Sequence, residues 1–242
     1  MARPVLRIML ADAELELAPP EIAGHPAIRK QAEQLGKRPG QVLLDQNLHA
    51  AAMGKLEDGK RRGRPDLVHL ALLVALESPI AKAGALEVAI HTRHDVLVRL
   101  KPDVRLPRGE SRFQGLMSKV LAEGRSQDRD PLVWVEGVMP AGEAIRKFAI
   151  GPVLRLDEGG EPLTPADICG RAEGGDLTLV LGAFPHGDFS AGWRQAAPQA
   201  ASVWPQALNV WAVLGELVAA HRAKWGPAMP TAPAAGPRGG GG

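Results

Sequence analysis

Three stretches of this 242-residue chain carry residue types and spacings that could do chemistry. The first is Leu181-Gly182-Ala183-Phe184-Pro185-His186-Gly187-Asp188-Phe189, which follows an apolar run that reads as a buried strand. Glycines there let the backbone approach a ligand closely, and the carboxyl ends of parallel strands are where α/β sheets bind ligands. Neither Gly-Lys-Ser/Thr nor Gly-x-Gly-x-x-Gly occurs, so it is not a phosphate loop. Taken alone, the stretch reads first as a tight strand-to-helix turn. The second is Arg61-Arg62-Gly63-Arg64-Pro65-Asp66. Arginine forks suit bidentate contacts to phosphates and base edges, although such a run is more often a solvated face. Asp66 equally suits the first turn of a helix, where the dipole favours an acid. The third places Arg105, Arg108 and Arg112 within eight residues, beside Phe113, a pattern able to track a nucleic-acid backbone.

Other chemistries find little support. Of the seven histidines only His91 and His94 are close, and no second ligand pair completes a metal set. No metal is expected. Gly-x-Ser-x-Gly is absent, so a Ser-His-Asp hydrolase has no support. The single Cys169 cannot form an internal disulfide, which fits a reducing cytoplasm. The first ten residues lack a signal-peptide core and cleavage site, and the longest uninterrupted apolar run is 70–76, far short of a membrane span. A cytoplasmic protein with no membrane partner is expected.

The formal charge of +2 conceals a polarised distribution. Residues 54–64 sum to +3 and residues 91–119 to +4, leaving −5 elsewhere, so positive charge gathers in the first half.

The elements that must position these stretches follow from periodicity. Residues 5–17 read as a strand with a strand-like extension, and 26–36 as a helix with Pro near its start and Gly at its end. Residues 42–45 form a short strand or turn leading into a helix that ends near 53. Residues 66–76 are apolar nearly all round, as in a helix buried on several sides. Residues 86–90 and 96–100 alternate and form a hairpin, 112–122 an amphipathic helix, and 132–135 a short strand. Residues 153–156 and 177–181 are short strands, the second lacking polar alternation, as expected of a central parallel strand. A wide apolar stripe over 210–221 closes the fold as a helix. This predicts a single α/β domain over 1–226 with an inserted or appended basic section, and a disordered tail over 227–242, where Pro, Ala and Gly dominate.

Taken in order, these segments resemble one family, the pseudouridine N1-specific methyltransferases of ribosome biogenesis, within the SPOUT class of α/β-knot proteins. The matching text is Arg61-Arg62-Gly63-Arg64-Pro65-Asp66-Leu67-Val68-His69, Glu77-Ser78-Pro79-Ile80-Ala81-Lys82-Ala83-Gly84, Ile90-His91-Thr92, Val104-Arg105-Leu106-Pro107-Arg108 and Arg112-Phe113-Gln114-Gly115-Leu116-Met117. It ends with the 182–189 loop and residues 203–208, so that the resemblance covers roughly 43–217; Phe-Pro-His-Gly-Asp-Phe is similar to the archaeal branch. His94-Asp95 stand where relatives tend to have Arg-Gly, Ala207 where Pro is common, and Trp204 at what is often a Tyr position.

The resemblance implies a SPOUT-type α/β fold with a C-terminal trefoil knot over about 150–226, a β-hairpin and helix extension, basic RNA-binding elements over about 54–119, and a homodimer. It implies S-adenosyl-L-methionine as cofactor, held by Pro152, Gly182, Gly187, Asp188, Val203, Trp204, Pro205, Gln206, Ala207 and Leu208. It implies RNA contacts at Arg64, Asp66, Arg105, Arg108 and Arg112, the substrate being a hairpin loop of small-subunit ribosomal RNA. Because N1 of pseudouridine must lose a proton, Asp66 is the candidate catalytic residue, as proton acceptor or as a contact to the uracil edge. A structural role for Asp66 at the helix start stands beside it. Two alternatives stay open: a non-catalytic RNA-binding ribosome-assembly factor, and a methyltransferase of the same class acting on tRNA. Docking of other assembly factors also stays open.

Overall fold

A computed structural model describes residues 4–172 and 174–226; the expected tail over 227–242 lies outside the described residues. The described residues build one seven-stranded sheet. Its strands are β1 (Leu6–Ala13), β2 (Leu86–Thr92), β3 (Val96–Leu100), β4 (Val133–Val138), β5 (Val153–Pro162), β6 (Leu177–Gly182) and β7 (Ala200–Ser202), in the spatial order β4-β3-β2-β1-β6-β5-β7. From β2 through β1, β6 and β5 to β7 the pairing is parallel, whereas β3 is antiparallel to both β2 and β4. The hairpin expected at 86–100 is therefore present, and the basic section is not appended: its strands extend the main sheet and its helix covers it.

Helices cover both faces. They are α1 (Pro20–Ala23), α2 (Pro26–Leu35), α3 (Gln46–Met53), α4 (Pro65–Leu76), α5 (Pro79–Lys82), α6 (Glu110–Glu123), α7 (Ala141–Phe148), α8 (Pro165–Gly170), α9 (Ala191–Ala196) and α10 (Val210–Trp225). Alternation along β1 separates two cores. Leu6, Ile8 and Leu10 face a large cluster with residues from α4, α5, α6, α8 and α10, while Met9 and Ala11 face a smaller one with α7 and α9. Both faces of β1 and β6 are thus dry, which is why 177–182 is apolar but for Thr178. A third cluster under α1, α2 and α3 buries Ile22, Ile28, Leu44 and Met53.

Local chemistry sets the ends of the elements. Gly36 caps α2 at φ 63, a left-handed conformation that costs glycine nothing. Ser190 caps α9 by accepting the Trp193 N–H, and Thr164 does the same for α8 from Asp167. The helix of 210–225 runs four residues past the expected stripe. β5 is also longer than expected, because its pairing with β7 resumes after an interruption between Leu156 and Glu161. Residues 157–160 bulge out there. A β-carbon on Gly160 would fall 2.6 Å from the Ala201 backbone, so the bulge can lie this close only as glycine.

Candidate active site at the carboxyl ends of the parallel strands

Three loops meet at the carboxyl ends of β5, β6 and β7. Residues 183–189 leave β6, residues 203–209 leave β7, and the 157–160 bulge leaves the ladder of β5. They enclose a cavity of about 650 Å³, closed on the remaining side by Arg64 and Leu67 from the start of α4 and by Val210 and Val213 of α10. That volume suits a small organic ligand.

The first loop is held from beneath by the extension of β1. The Ala183 N–H donates to the Ala11 carbonyl at 2.9 Å, and the Glu14 N–H donates to the Ala183 carbonyl at 3.1 Å. The Asp12 carboxylate, on a residue with φ 46, accepts the Ser190 N–H at 2.7 Å. A left-handed non-glycine beside a cavity marks a conformation that its surroundings hold in place. A β-carbon on Gly182 would meet the Phe184 ring at 2.6 Å. Gly187 adopts φ +83. Phe184 in turn packs edge-to-face on Phe189, with centroids 5.3 Å apart. In the second loop, the Ser202 hydroxyl donates to the Trp204 carbonyl at 2.7 Å. Trp204 (56 %) and Leu208 (43 %) are unusually exposed for large apolar side chains, and both line the cavity. Apolar surface left open at a cavity mouth indicates a ligand or partner that covers it.

The electrostatics divide the cavity. The Asp157 carboxylate is engaged, accepting from Arg155 Nε at 3.2 Å and from the Gly159 N–H at 3.1 Å. The carboxylates of Glu158 and Asp188 make no hydrogen bond or ion pair among the described residues. On the α4 side stands Arg64, whose fork donates to both oxygens of Asp66 at 2.8 and 2.7 Å. That pairing holds the Arg64 guanidinium further above its ordinary range, more than offsetting partial burial. The cavity can thus take a molecule with an apolar ring and a positive charge, beside the Arg64–Asp66 pair at its edge.

The structure brings together Gly182, Gly187, Asp188, Val203, Trp204, Gln206, Ala207 and Leu208 as cavity lining, with Arg64 among them. Pro205 lies in the same loop but not on the lining. Pro152 does not join the cavity: it precedes β5 at the opposite end of the strands, where its carbonyl accepts the Thr178 N–H. Asp66 is also off the lining, behind Arg64. Arg105, Arg108 and Arg112 are exposed, and their guanidinium groups make no hydrogen bond or ion pair among the described residues. Their loop is tied to α4, since His69 Nε2 bonds the Pro107 carbonyl at 2.8 Å and the His69 ring stacks on Phe113 at 4.3 Å.

Sequence reasoning missed the acids of 12–16 and the 157–160 bulge. Asp12, Glu14 and Glu16 alternate with apolar residues, and that period-two run of acids was the available signal. Glu14 pairs with Arg61 at 2.8 Å and Arg93 at 2.9 Å. Glu16 pairs with Arg62 at 2.6 Å and His94 at 2.9 Å. Burial would raise the Glu16 carboxyl, but hydrogen bonds from Arg62 and His94 pull it below its ordinary value. The arginines of 61–62 are therefore built into the fold and are not a solvated face.

A doubly covered α/β sheet with a cavity at the carboxyl ends of its parallel strands is the architecture of an α/β protein that binds a small molecule there. The chain belongs to the EMG1/NEP1 methyltransferase family, whose model matches residues 8–221. It is 38% identical over 215 residues to a ribosomal RNA small subunit methyltransferase Nep1 from Staphylothermus marinus, an alignment covering 88% of this chain and 93% of that protein. The Thermococcus onnurineus protein of the same name is 41% identical over 217 residues, covering 88% of this chain and 96% of its own. The crystal structure of Archaeoglobus fulgidus Nep1 bound to S-adenosylhomocysteine superposes with a TM-score of 0.79 at 32% identity, covering 92% of this chain and 98% of that one. The expected SPOUT-type α/β class is the observed one. Among the described residues no helix is long and apolar enough to cross a membrane.

Proposed function

We propose that this protein is an S-adenosyl-L-methionine-dependent methyltransferase of small-subunit ribosomal RNA, acting on N1 of a pseudouridine in a hairpin loop during ribosome biogenesis. The observation that carries the reading is the cavity itself: an apolar, acid-rimmed pocket at the strand ends with Arg64 on its edge. The residues fit the cofactor. Leu156, Leu181, Val203 and Leu208 offer apolar surface to an adenine, and the free carboxylates of Glu158 and Asp188 suit the positive charges of the methionine portion. When bound, that cofactor supplies an electrophilic methyl group on a sulfonium.

The chain's own residues would then do three things. The glycine-bearing loop and residues 203–208 hold and orient the donor, so that attack is in line. Exposed Arg105, Arg108 and Arg112 take the RNA backbone, and Arg64 meets the displaced base, since N1 is inaccessible within a stacked helix. Asp66, each of whose oxygens accepts once from Arg64, presents that guanidinium; a second lone pair on each oxygen leaves it able to accept the N1 proton, at the expense of the ion pair. We further propose a homodimer whose C-terminal part is the trefoil knot, working in the cytoplasm.

The test is a pair of hairpins of identical sequence, one with uridine and one with pseudouridine at the target, incubated with protein and S-adenosyl-L-methionine and analysed by mass spectrometry. A gain of one methyl on the pseudouridine hairpin alone is expected. Methylation of the uridine hairpin, or of neither, overturns the N1 assignment.

A further inference from the structure

Arg61 sits three residues before Arg64, in the turn ahead of α4, and its guanidinium is directed inward. Its Nε donates to the Glu14 carboxylate at 2.8 Å, and the Glu14 side chain is 1 % exposed. Its Nη1 donates to the carbonyls of Asp188 at 3.0 Å and His186 at 3.3 Å. Its plane lies over Phe184, 4.0 Å from the ring centroid. These last three contacts are all with the loop that lines the cavity. A β-carbon on Gly187 would come within 3.0 Å of the same Nη1, so the loop is open at the point where the guanidinium passes.

We infer that Arg61 is a positioning residue for the cofactor site, fixing the 182–189 loop in the shape the donor meets; this rests on the methyltransferase reading. Charge-assisted bonds to two carbonyls and a cation–π contact from one rigid fork define the loop's path. The fork is itself held. Glu14 accepts from Arg61 and Arg93 through its carboxylate, while its backbone carbonyl accepts the Arg64 N–H at 2.9 Å. One buried acid thus joins the loop that meets the cofactor to the residue at the substrate edge. Lysine could keep the pair with Glu14 but could not reach two carbonyls and a ring face at once.

The test uses the full chain as parent, Arg61→Lys and Arg61→Met. S-adenosylhomocysteine binding is measured by calorimetry, KM for S-adenosyl-L-methionine and kcat by methyl transfer to the pseudouridine hairpin, and hairpin affinity without cofactor. Arg61→Met should weaken S-adenosylhomocysteine binding and raise KM by about tenfold, with kcat at saturation and hairpin affinity changed by less than about twofold. Arg61→Lys should fall between. If Arg61→Met does not fold, Arg61→Lys decides, and a KM equal to the parent's overturns the inference. Loss of hairpin affinity with unchanged cofactor binding also overturns it, making Arg61 an RNA contact. A parent that fails to bind S-adenosylhomocysteine brings down the cofactor reading and this inference together; a parent that binds, with variants that bind equally, brings down the inference alone.

Discussion

Residues 61–64 and residues 105–112 each carry three arginines, and the fold treats the two sets in opposite ways. Arg61, Arg62 and Arg64 are each matched to a carboxylate, on Glu14, Glu16 and Asp66 respectively, at 2.6–2.8 Å. Arg105, Arg108 and Arg112 face solvent without a partner among the described residues. A guanidinium taken from water, as that of Arg62 is, needs an acid, and once paired its charge is spent inside the protein; Arg64, 25 % exposed, still faces the cavity. An exposed, unpaired guanidinium keeps its charge available for phosphates. The basic stretches of this chain are therefore two devices: one shapes the site, the other attracts the substrate.

The comparison breaks most sharply at Arg62. Its side chain is 9 % exposed and that of Glu16 2 %. Arg62→Ala strands a buried carboxylate with only the partly exposed His94 for company. A loss of about 3 kcal/mol in denaturant unfolding is expected, against about 0.5 kcal/mol or less for Arg105→Ala. Equal losses for the two variants would erase the distinction.

The exposed set gives the next effect, in binding and not in stability. Replacing Arg105, Arg108 and Arg112 together by Ala should weaken hairpin binding by about a hundredfold at low salt and flatten the log–log salt slope by about 2, near 0.7 for each lost single-strand phosphate contact. S-adenosylhomocysteine binding should hold. Were cofactor affinity to fall instead, these arginines would belong with the structural set.

That division was only half legible in the sequence. Period-two alternation and the nearly apolar run at 177–181 located every described strand except the three-residue β7, and Pro and Gly punctuation located the helices expected at 26–36 and 66–76. The five helices left unread, α1, α5, α7, α8 and α9, have four to eight residues. Most are too short for a period, although Ala141, Ala144, Ile145 and Phe148 of α7 keep helical spacing. The site was visible as ordered pieces of a family pattern, yet which arginines were structural was not. The acids that claim Arg61 and Arg62 lie 47 and 46 residues away, and the stretches meet where the Arg64 N–H donates to the Glu14 carbonyl and the Leu44 N–H to the Glu16 carbonyl, each at 2.9 Å. The 157–160 bulge was hidden for the same reason, since it exists only relative to β7.

The smallest effect separates RNA binding from stability by titration. Arginines stay charged across the working range, so hairpin affinity owed to Arg105, Arg108 and Arg112 should be flat in pH between about 5 and 8. Stability should not be flat. Burial holds His49 and His221 below the ordinary imidazole value of 6.5, against opposing pulls that include Asp45 for the first and the Gly175 carbonyl for the second. His49 Nδ1 accepts the Asp45 N–H at 3.0 Å, a bond that protonation of Nδ1 abolishes, and His221 Nδ1 is buried without a partner. Both rings are therefore neutral in the fold, while the unfolded chain takes up their protons first as pH falls. Their contribution is complete above 6.5 and declines as pH falls through the lower folded values, by at most about 1.4 kcal/mol per pH unit for each group. His221→Gln should remove one group's share of that slope whatever it does to absolute stability. An unchanged slope in denaturant unfolding between about pH 7 and 5 would mean that His221 is already as free to protonate in the fold as in the unfolded chain.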